Sequence, residues 1–162
     1  MILAAGLGQR MGALTEARPK PMLPVGGRPV IDWVLDRLCE AGVERAVVNL
    51  HHEADLLRRH LQDRSRLHIQ FSDETDFLLD TGGGVAKALP MLGEAPFFVV
   101  NGDVLWFDNM RSSLRALAMR FFTESMDVLL LLQPTVGATS YQGVGDYTML
   151  NDGQLRRRLE RE

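Results

Sequence analysis

Cysteine is almost missing from the chain: Cys39 stands alone, so no internal disulfide can staple the fold and a packed core must hold it. Long apolar runs are missing as well. No stretch has the length of a membrane span or the layout of a secretory leader, which points to a cytoplasmic protein with no membrane partner. Basic charge is not in excess, since 18 Lys and Arg face 21 Asp and Glu for a net charge of −3. That balance disfavours nucleic acid, whose binders show a basic surplus or stripe, but leaves room for a small anion held by a local basic site. Two glycine templates are also incomplete. No Gly-Lys-Ser/Thr follows Gly6 and Gly8 to close a Walker loop, and Met11 stands where the dinucleotide pattern needs its third glycine. The remaining composition, 46% hydrophobic and 24% charged over 162 residues, is that of one soluble domain able to bury a core.

What the chain does have is concentrated at its start. The apolar run Ile2 to Ala5 ends in Gly6-Leu7-Gly8, and a glycine turn after a strand brings backbone N–H groups close to a ligand, most naturally a phosphate chain. Arg10 adds a planar cationic fork and Lys20 a mobile point charge. Lys20 is held between Pro19 and Pro21 in a stretch, 13–27, whose Pro and Gly content predicts an irregular loop. Ordered loops of that length are usually functional.

Downstream, hydrophobic spacing predicts a helix over Pro29–Ala41 stopped by Gly42, a buried strand over Arg45–Leu50, a helix over Glu53–Gln62 and a strand over Leu67–Phe71. Asp32, Asp36, Arg37 and Glu40 are placed on the solvent face of the first helix, with Cys39 in the core. His51 and His52 end the second strand. Adjacent side chains diverge, so they read as loop residues ahead of a helix rather than metal ligands, and His60 and His68 read as surface positions. Strand, helix, strand, helix, strand is the parallel βαβ pattern.

Thr81-Gly-Gly-Gly84 lies where a loop enters a helix, a turn whose backbone suits the edge of a nucleobase. Ala95–Val100 predicts a fourth strand that runs into Asn101-Gly102-Asp103. The carboxyl ends of parallel strands share one edge, so Asp103 should face the Gly6 loop. A carboxylate opposite a phosphate cradle calls for a cation, and Mg²⁺ commonly takes one or two carboxylates plus substrate phosphates. A helix over Phe107–Phe122 capped by Asp108, a buried fifth strand over Asp127–Gln133, and a hairpin of Tyr147–Leu150 and Gln154–Leu159 around Asn151-Asp-Gly153 complete the pattern. Arg156, Arg157 and Arg158 alternate faces there and read as solvated or paired.

Leu3-Ala-Ala-Gly-Leu-Gly-Gln-Arg-Met11 followed by Pro19-Lys-Pro-Met-Leu-Pro-Val25 resembles the signature of the sugar-1-phosphate nucleotidyltransferases. Asp80-Thr-Gly-Gly-Gly84 and Val100-Asn-Gly-Asp103 make the resemblance strongest to the N-acetylmuramate-1-phosphate uridylyltransferase branch, whose members are often labelled mannose-1-phosphate guanylyltransferases. It implies an α/β nucleotide-diphospho-sugar transferase fold: three α/β/α layers, a mostly parallel Rossmann-like sheet in the order 3-2-1-4-5, and a C-terminal hairpin. It implies Arg10 and Lys20 as catalytic groups, with Leu3, Ala4, Ala5, Gly6, Gly8, Thr81, Gly82 and Gly83 on the nucleotide. Asn101, Gly145 and Glu160 would touch the sugar, and Asp103 would hold Mg²⁺. The partners implied are a nucleoside triphosphate, UTP favoured, and a sugar 1-phosphate such as N-acetylmuramate 1-phosphate or a related hexose 1-phosphate.

Family members usually begin a few residues before Ile2 and continue well past Glu162, where a second Mg²⁺-binding aspartate and elements closing over the sugar lie. The expectation is therefore a single nucleotidyltransferase domain, 1–162, incomplete at its C-terminus. It should bind a triphosphate weakly with Mg²⁺, turn over slowly or not at all, and expose apolar surface or self-associate into a homo-oligomer. Two other readings compete: a nucleotide-binding or regulatory module without turnover, and a nicotinamide-dependent oxidoreductase. Against the second, Asn49 is not the acidic residue that would grip a ribose.

Overall fold

Arg45–Leu50 forms β4, and Ala46 to Leu50 are all buried. A strand covered on both faces reads as a near-continuous apolar run, as a central parallel strand must. In the computed structural model, which describes residues 1–63, 66–138 and 141–158, β4 pairs in parallel with β1 (Ile2–Leu3) and with β5 (His68–Asp73). β6 (Val100–Asn101) pairs in parallel with the other side of β1, giving the order β5-β4-β1-β6. The chain steps outward from β1 to β4 to β5 and then crosses back to β6. The topological switch therefore lies between β1 and β6, where ligand crevices open at the strands' carboxyl ends.

Alternation along β4 separates the two covering layers. Ala46, Val48 and Leu50 join a core with Ile31, Val34, Leu35 and Leu38 of α1 (Val30–Ala41), Leu57 and Leu61 of α2 (Ala54–Leu61), and Leu114 of α4 (Ser113–Met119). Val47 faces the other way, into a cluster with Met1 and with Ala88, Val85 and Leu92 of α3 (Asp80–Leu92). Helices on both faces of a parallel sheet make the three-layer α/β/α architecture. Among the described residues, no helix is long and apolar enough to cross a membrane.

α1 starts after Pro29 and stops at Gly42, whose left-handed backbone (φ 92°) lets its N–H close on Cys39 and Leu38 carbonyls. Cys39 is half-buried against the core, as its spacing predicts. Asp32 does not lie on the solvent face. It is 7% exposed and accepts from His60 Nε2 at 2.7 Å, so neither residue is the surface position expected. The 100° step of a helix puts Asp32 beside Leu35, and α2 brings a polar partner to that spot.

The expected irregular loop of 13–27 contains more order than composition suggests. Pro24–Val25 (β2) and Arg28–Pro29 (β3) form an antiparallel hairpin around Gly26 and Gly27, with φ of 60° and 78°. Two consecutive positive φ values are what a tight I′ hairpin turn demands. Trp33 Nε1 donates to Val25 O at 3.1 Å, and Arg28 stacks on the Trp33 ring while reaching Asp36 at 2.7 Å.

Three expectations fail beyond α3. The fourth strand is Val100–Asn101 rather than 95–100, because β1 offers partners only to those residues, and Phe97 and Val99 are exposed. The helix over 107–122 shortens to α4, capped by Ser112, whose side chain accepts from Arg115 N, instead of by Asp108. The fifth strand over 127–133 is missing from every sheet among the described residues, and Val128 and Leu131 are exposed. An apolar run becomes a strand only when another backbone satisfies its N–H and C=O groups.

The chain divides into two compact units, Met1–Asp127 and Val128–Glu162. Within the second, Tyr147–Met149 (β7) and Leu155–Arg157 (β8) form the predicted hairpin around Gly153. Arg158 donates to Val144 O at 2.8 Å.

Leu35, 1% exposed at the centre of the larger core, reports on this packing. Leu35→Ala should cost about 2–5 kcal/mol, read as a lower midpoint in denaturant with an unchanged slope. A loss under about 1 kcal/mol would mean that α1 is not docked on the sheet as described.

Candidate functional site

The end of β1 builds the first wall. Gly8 adopts φ 66°, and its carbonyl accepts from Met11 N at 2.8 Å, starting a short 3₁₀ stretch over Gln9–Thr15. Thr15 is 4% exposed, and its hydroxyl lies 3.1 Å from both Gly8 O and Gly12 O. It ties the loop's two ends together. A Cβ at Gly8 would come within 2.9 Å of Thr15 Cγ2, so conformation and space both require glycine there. His52 Nε2 donates to Thr15 O at 2.7 Å, which anchors the loop to the end of β4.

The second wall carries charge. Pro19 and Pro21 are buried, and Met22 N and Leu23 N bond back to Pro19 O and Lys20 O, so the backbone at Lys20 is fixed while its side chain projects. Gly102 N bonds to Leu3 O at 2.8 Å, and a Cβ there would lie 3.2 Å from that oxygen. This tight seam delivers Asp103 beside Lys20, and Lys20 Nζ meets Asp103 Oδ2 at 2.5 Å. Both side chains are about a third exposed. Surface pairs of this kind are worth roughly 0–1 kcal/mol, so either partner can be exchanged for a ligand at small cost.

The third wall is the start of α3. Asp80 takes a left-handed backbone (φ 60°), and its side chain accepts from Thr81 N at 2.8 Å. Beneath this wall, Asn49 at the end of β4 accepts from Ala4 N at 2.6 Å and donates to Glu74 Oε1 at 2.9 Å. Glu74 is 1% exposed, and its second oxygen accepts from Leu79 N at 3.2 Å. His51 Nδ1 donates to Glu74 O at 2.6 Å. The adjacent histidines thus each hold a loop carbonyl.

These walls enclose a cavity of about 670 Å³, a size typical of small-molecule sites. Leu3, Ala4, Ala5, Gly6, Gly8, Arg10, Lys20, Thr81, Asn101 and Asp103 line it, so sequence-selected residues from four separate stretches come together. Gly82 and Gly83 lie in the first turn of α3 just behind Thr81 and are not part of the lining. Gly145 belongs to the second unit, where its N–H bonds to the Tyr141 hydroxyl at 3.2 Å. Glu160 lies outside the described residues. Thr15, His51, His52 and Glu74 were not singled out as supports by sequence reasoning, and Asn49 entered it only as a non-acidic residue. The one available signal was a polar residue inside the apolar run of β4.

Gly8→Ala tests the first wall. Forcing a Cβ into the left-handed region costs about 1–2 kcal/mol, and the clash with Thr15 adds to it. The expected result is a lower melting temperature together with faster amide exchange across 8–15. Unchanged exchange would show that Thr15 does not tie this loop.

The MobA-like NTP transferase domain family matches residues 1–131. The N-acetylmuramate alpha-1-phosphate uridylyltransferase of Caulobacter vibrioides is 44% identical over 160 residues, covering 96% of this chain and 66% of that protein. Its namesake in Neisseria meningitidis is 38% identical over 158 residues, with the same shares covered. The chain therefore spans just under two thirds of the length of these relatives. Among solved structures, a UDP-glucose pyrophosphorylase from Acinetobacter baumannii superposes with a TM-score of 0.62 at 24% identity, covering 74% of this chain and 50% of that one. It shares the fold. On the match of the family across the whole parallel sheet and its three walls, the chain belongs to the MobA-like NTP transferase domain family.

Proposed function

We propose that this chain carries the nucleotide side of a sugar-1-phosphate nucleotidyltransferase, moving a nucleotidyl group from a triphosphate, UTP favoured, to N-acetylmuramate 1-phosphate or a related hexose 1-phosphate. One observation carries the reading: the glycine loop, Arg10, Lys20 and Asp103 open into a single cavity at the β1–β6 switch point. The names of the two uridylyltransferase relatives favour the uridine donor and the N-acetylmuramate acceptor.

An oxygen of the sugar phosphate attacks the α-phosphorus. The α-phosphorus bond to the bridging oxygen breaks, and pyrophosphate leaves with that electron pair. The attacking group is already anionic near neutrality, so the site needs position and positive charge rather than a strong base. Lys20 would bridge the α-phosphate and the incoming phosphate, and Arg10 would hold the β- and γ-phosphates. Gly6 and Gly8 would let the chain's backbone approach the triphosphate, Thr81 would meet the base with Gly82 and Gly83 forming the turn behind it, and Asn101 would meet the sugar.

Asp103 would hold Mg²⁺ through its one carboxylate, a mode Mg²⁺ commonly uses beside substrate phosphates. Among the described residues, no group of three His, Cys, Asp or Glu forms a cage by itself. When bound, the ion would neutralise phosphate charge. Lys20 is paired with Asp103, so a triphosphate that drew Lys20 to itself would free the carboxylate.

The test combines the chain with Mg²⁺, UTP or GTP, and N-acetylmuramate, mannose or glucose 1-phosphate, following pyrophosphate release beside calorimetric titration. Slow pyrophosphate release that requires both UTP and N-acetylmuramate 1-phosphate is the expected result. Mg²⁺-dependent UTP binding without release would leave a binding module, and no binding at all would overturn the reading. Asp103→Asn and Lys20→Ala should each lower turnover about a hundredfold or more with little change in melting temperature. Full Mg²⁺-dependent activity in either variant would remove that residue from its assigned role.

A further inference from the structure

We propose that Asn49 and Glu74 are positioning residues that hold the base-side wall at a fixed distance from the phosphate loop, so that recognition of the base depends on two side chains beneath the site. The proposal rests on the nucleotide-binding reading above. Its physical basis is an unbroken chain of hydrogen bonds, buried at its first two links and part-buried at the third. Ala4 N–H donates to Asn49 Oδ1, Asn49 Nδ2 donates to Glu74 Oε1, and Leu79 N–H donates to Glu74 Oε2, at 2.6, 2.9 and 3.2 Å. Because Ala4 N–H can only donate, it fixes which end of the Asn49 amide is oxygen, and the nitrogen must then face the carboxylate.

The ends of this chain sit where the two walls begin. Ala4 is the last residue before Ala5 and Gly6, and Leu79 lies between Leu78 and Asp80; all but Leu79 line the cavity. His51 Nδ1 and the Leu50 carbonyl grip the Glu74 backbone at 2.6 and 2.7 Å, so the strut is braced at its middle. Gly84 supplies an independent sign that this space is reserved. A Cβ there would lie 2.9 Å from Glu74 Oε1 and 3.0 Å from Asn49 Nδ2. A carboxylate buried to 1% exposure carries a large desolvation cost, and apolar packing would usually stabilise as well or better. What a carboxylate provides and a leucine does not is two fixed acceptors that set the spacing of two elements.

The logic predicts a reciprocal exchange. In Asn49→Asp two carboxylates face each other, and in Glu74→Gln one amide must serve two donors with one oxygen. In the double variant Asn49→Asp/Glu74→Gln all three bonds can form again, with Ala4 N–H and the Gln amide donating to the Asp carboxylate and Leu79 N–H donating to the Gln oxygen. Net charge is unchanged.

The experiment titrates UTP and inorganic tripolyphosphate, each with Mg²⁺, into wild type, both single variants, the double variant and Gly84→Ala. The single variants and Gly84→Ala should lose at least tenfold in UTP affinity while tripolyphosphate changes less than threefold, and the double variant should return UTP to within threefold of wild type. If the single variants do not fold, a double variant that folds and binds UTP normally supports the strut by itself. Equal losses for UTP and tripolyphosphate, or a double variant that fails to recover, overturn this proposal and leave the nucleotide reading standing. A wild type that binds UTP no better than tripolyphosphate overturns both.

Discussion

The covering of β4 on both faces is the constraint on which the first unit depends. Ala46, Val48 and Leu50 commit one face to α1, α2 and α4, and Val47 commits the other to α3. Asn49 shares the face of Val47 and is as buried as its neighbours, so its carboxamide must find partners inside the protein. It finds them at Ala4, just past the end of β1, and at Glu74, just past the end of β5. Through that requirement the strand that organises the core also organises the cavity above it, because both walls hang from bonds made at its carboxyl end.

Electrostatics at the cavity follow from how little the fold spends on charge. Glu74 is buried and fully engaged by neutral donors, whereas Lys20 and Asp103 are part-exposed and engaged mainly with each other. The first arrangement is rigid and the second exchangeable. Arg10 is exposed on a loop whose ends are knotted by Thr15 and pinned by His52. The cavity therefore presents a fixed backbone, a third wall held from beneath, and cations whose side chains can turn into it.

Much of this was legible in the residues. Gly6, Gly8, Arg10, Lys20, Thr81 and Asp103 could be chosen because their chemistry is extreme: glycine where backbone must approach, cations and a carboxylate where phosphate and metal would sit. Helix and strand periods in α1, β4, α2 and β5 carried the alternating parallel pattern, and the order of the sheet came with the family resemblance. His52 and Glu74 were not legible, since each bonds a group far away in sequence that nothing local marks, and Thr15 was not legible because its bonds to the Gly8 and Gly12 carbonyls exist only once the loop has turned back on itself. Asp32 and His60 failed in the same way, as two polar residues that hide by pairing. The stretch 127–133 shows the opposite error, for apolar composition signals β-preference without supplying the neighbouring backbone that makes a strand.

The hairpin strapped to α1 has an optical consequence. The chain has two tryptophans. Trp106 packs against the core, whereas Trp33 is hydrogen-bonded to Val25, stacked under Arg28 and edge-on to Phe107 at 6.5 Å. Indole emission responds to nearby charge and to water, so the Trp33 signal is coupled to the hairpin that follows Lys20, while Trp106, half-buried against the core, emits from a different setting. The molecule thereby contains its own light-emitting gauge of the lysine loop, at a position that needs no attached dye.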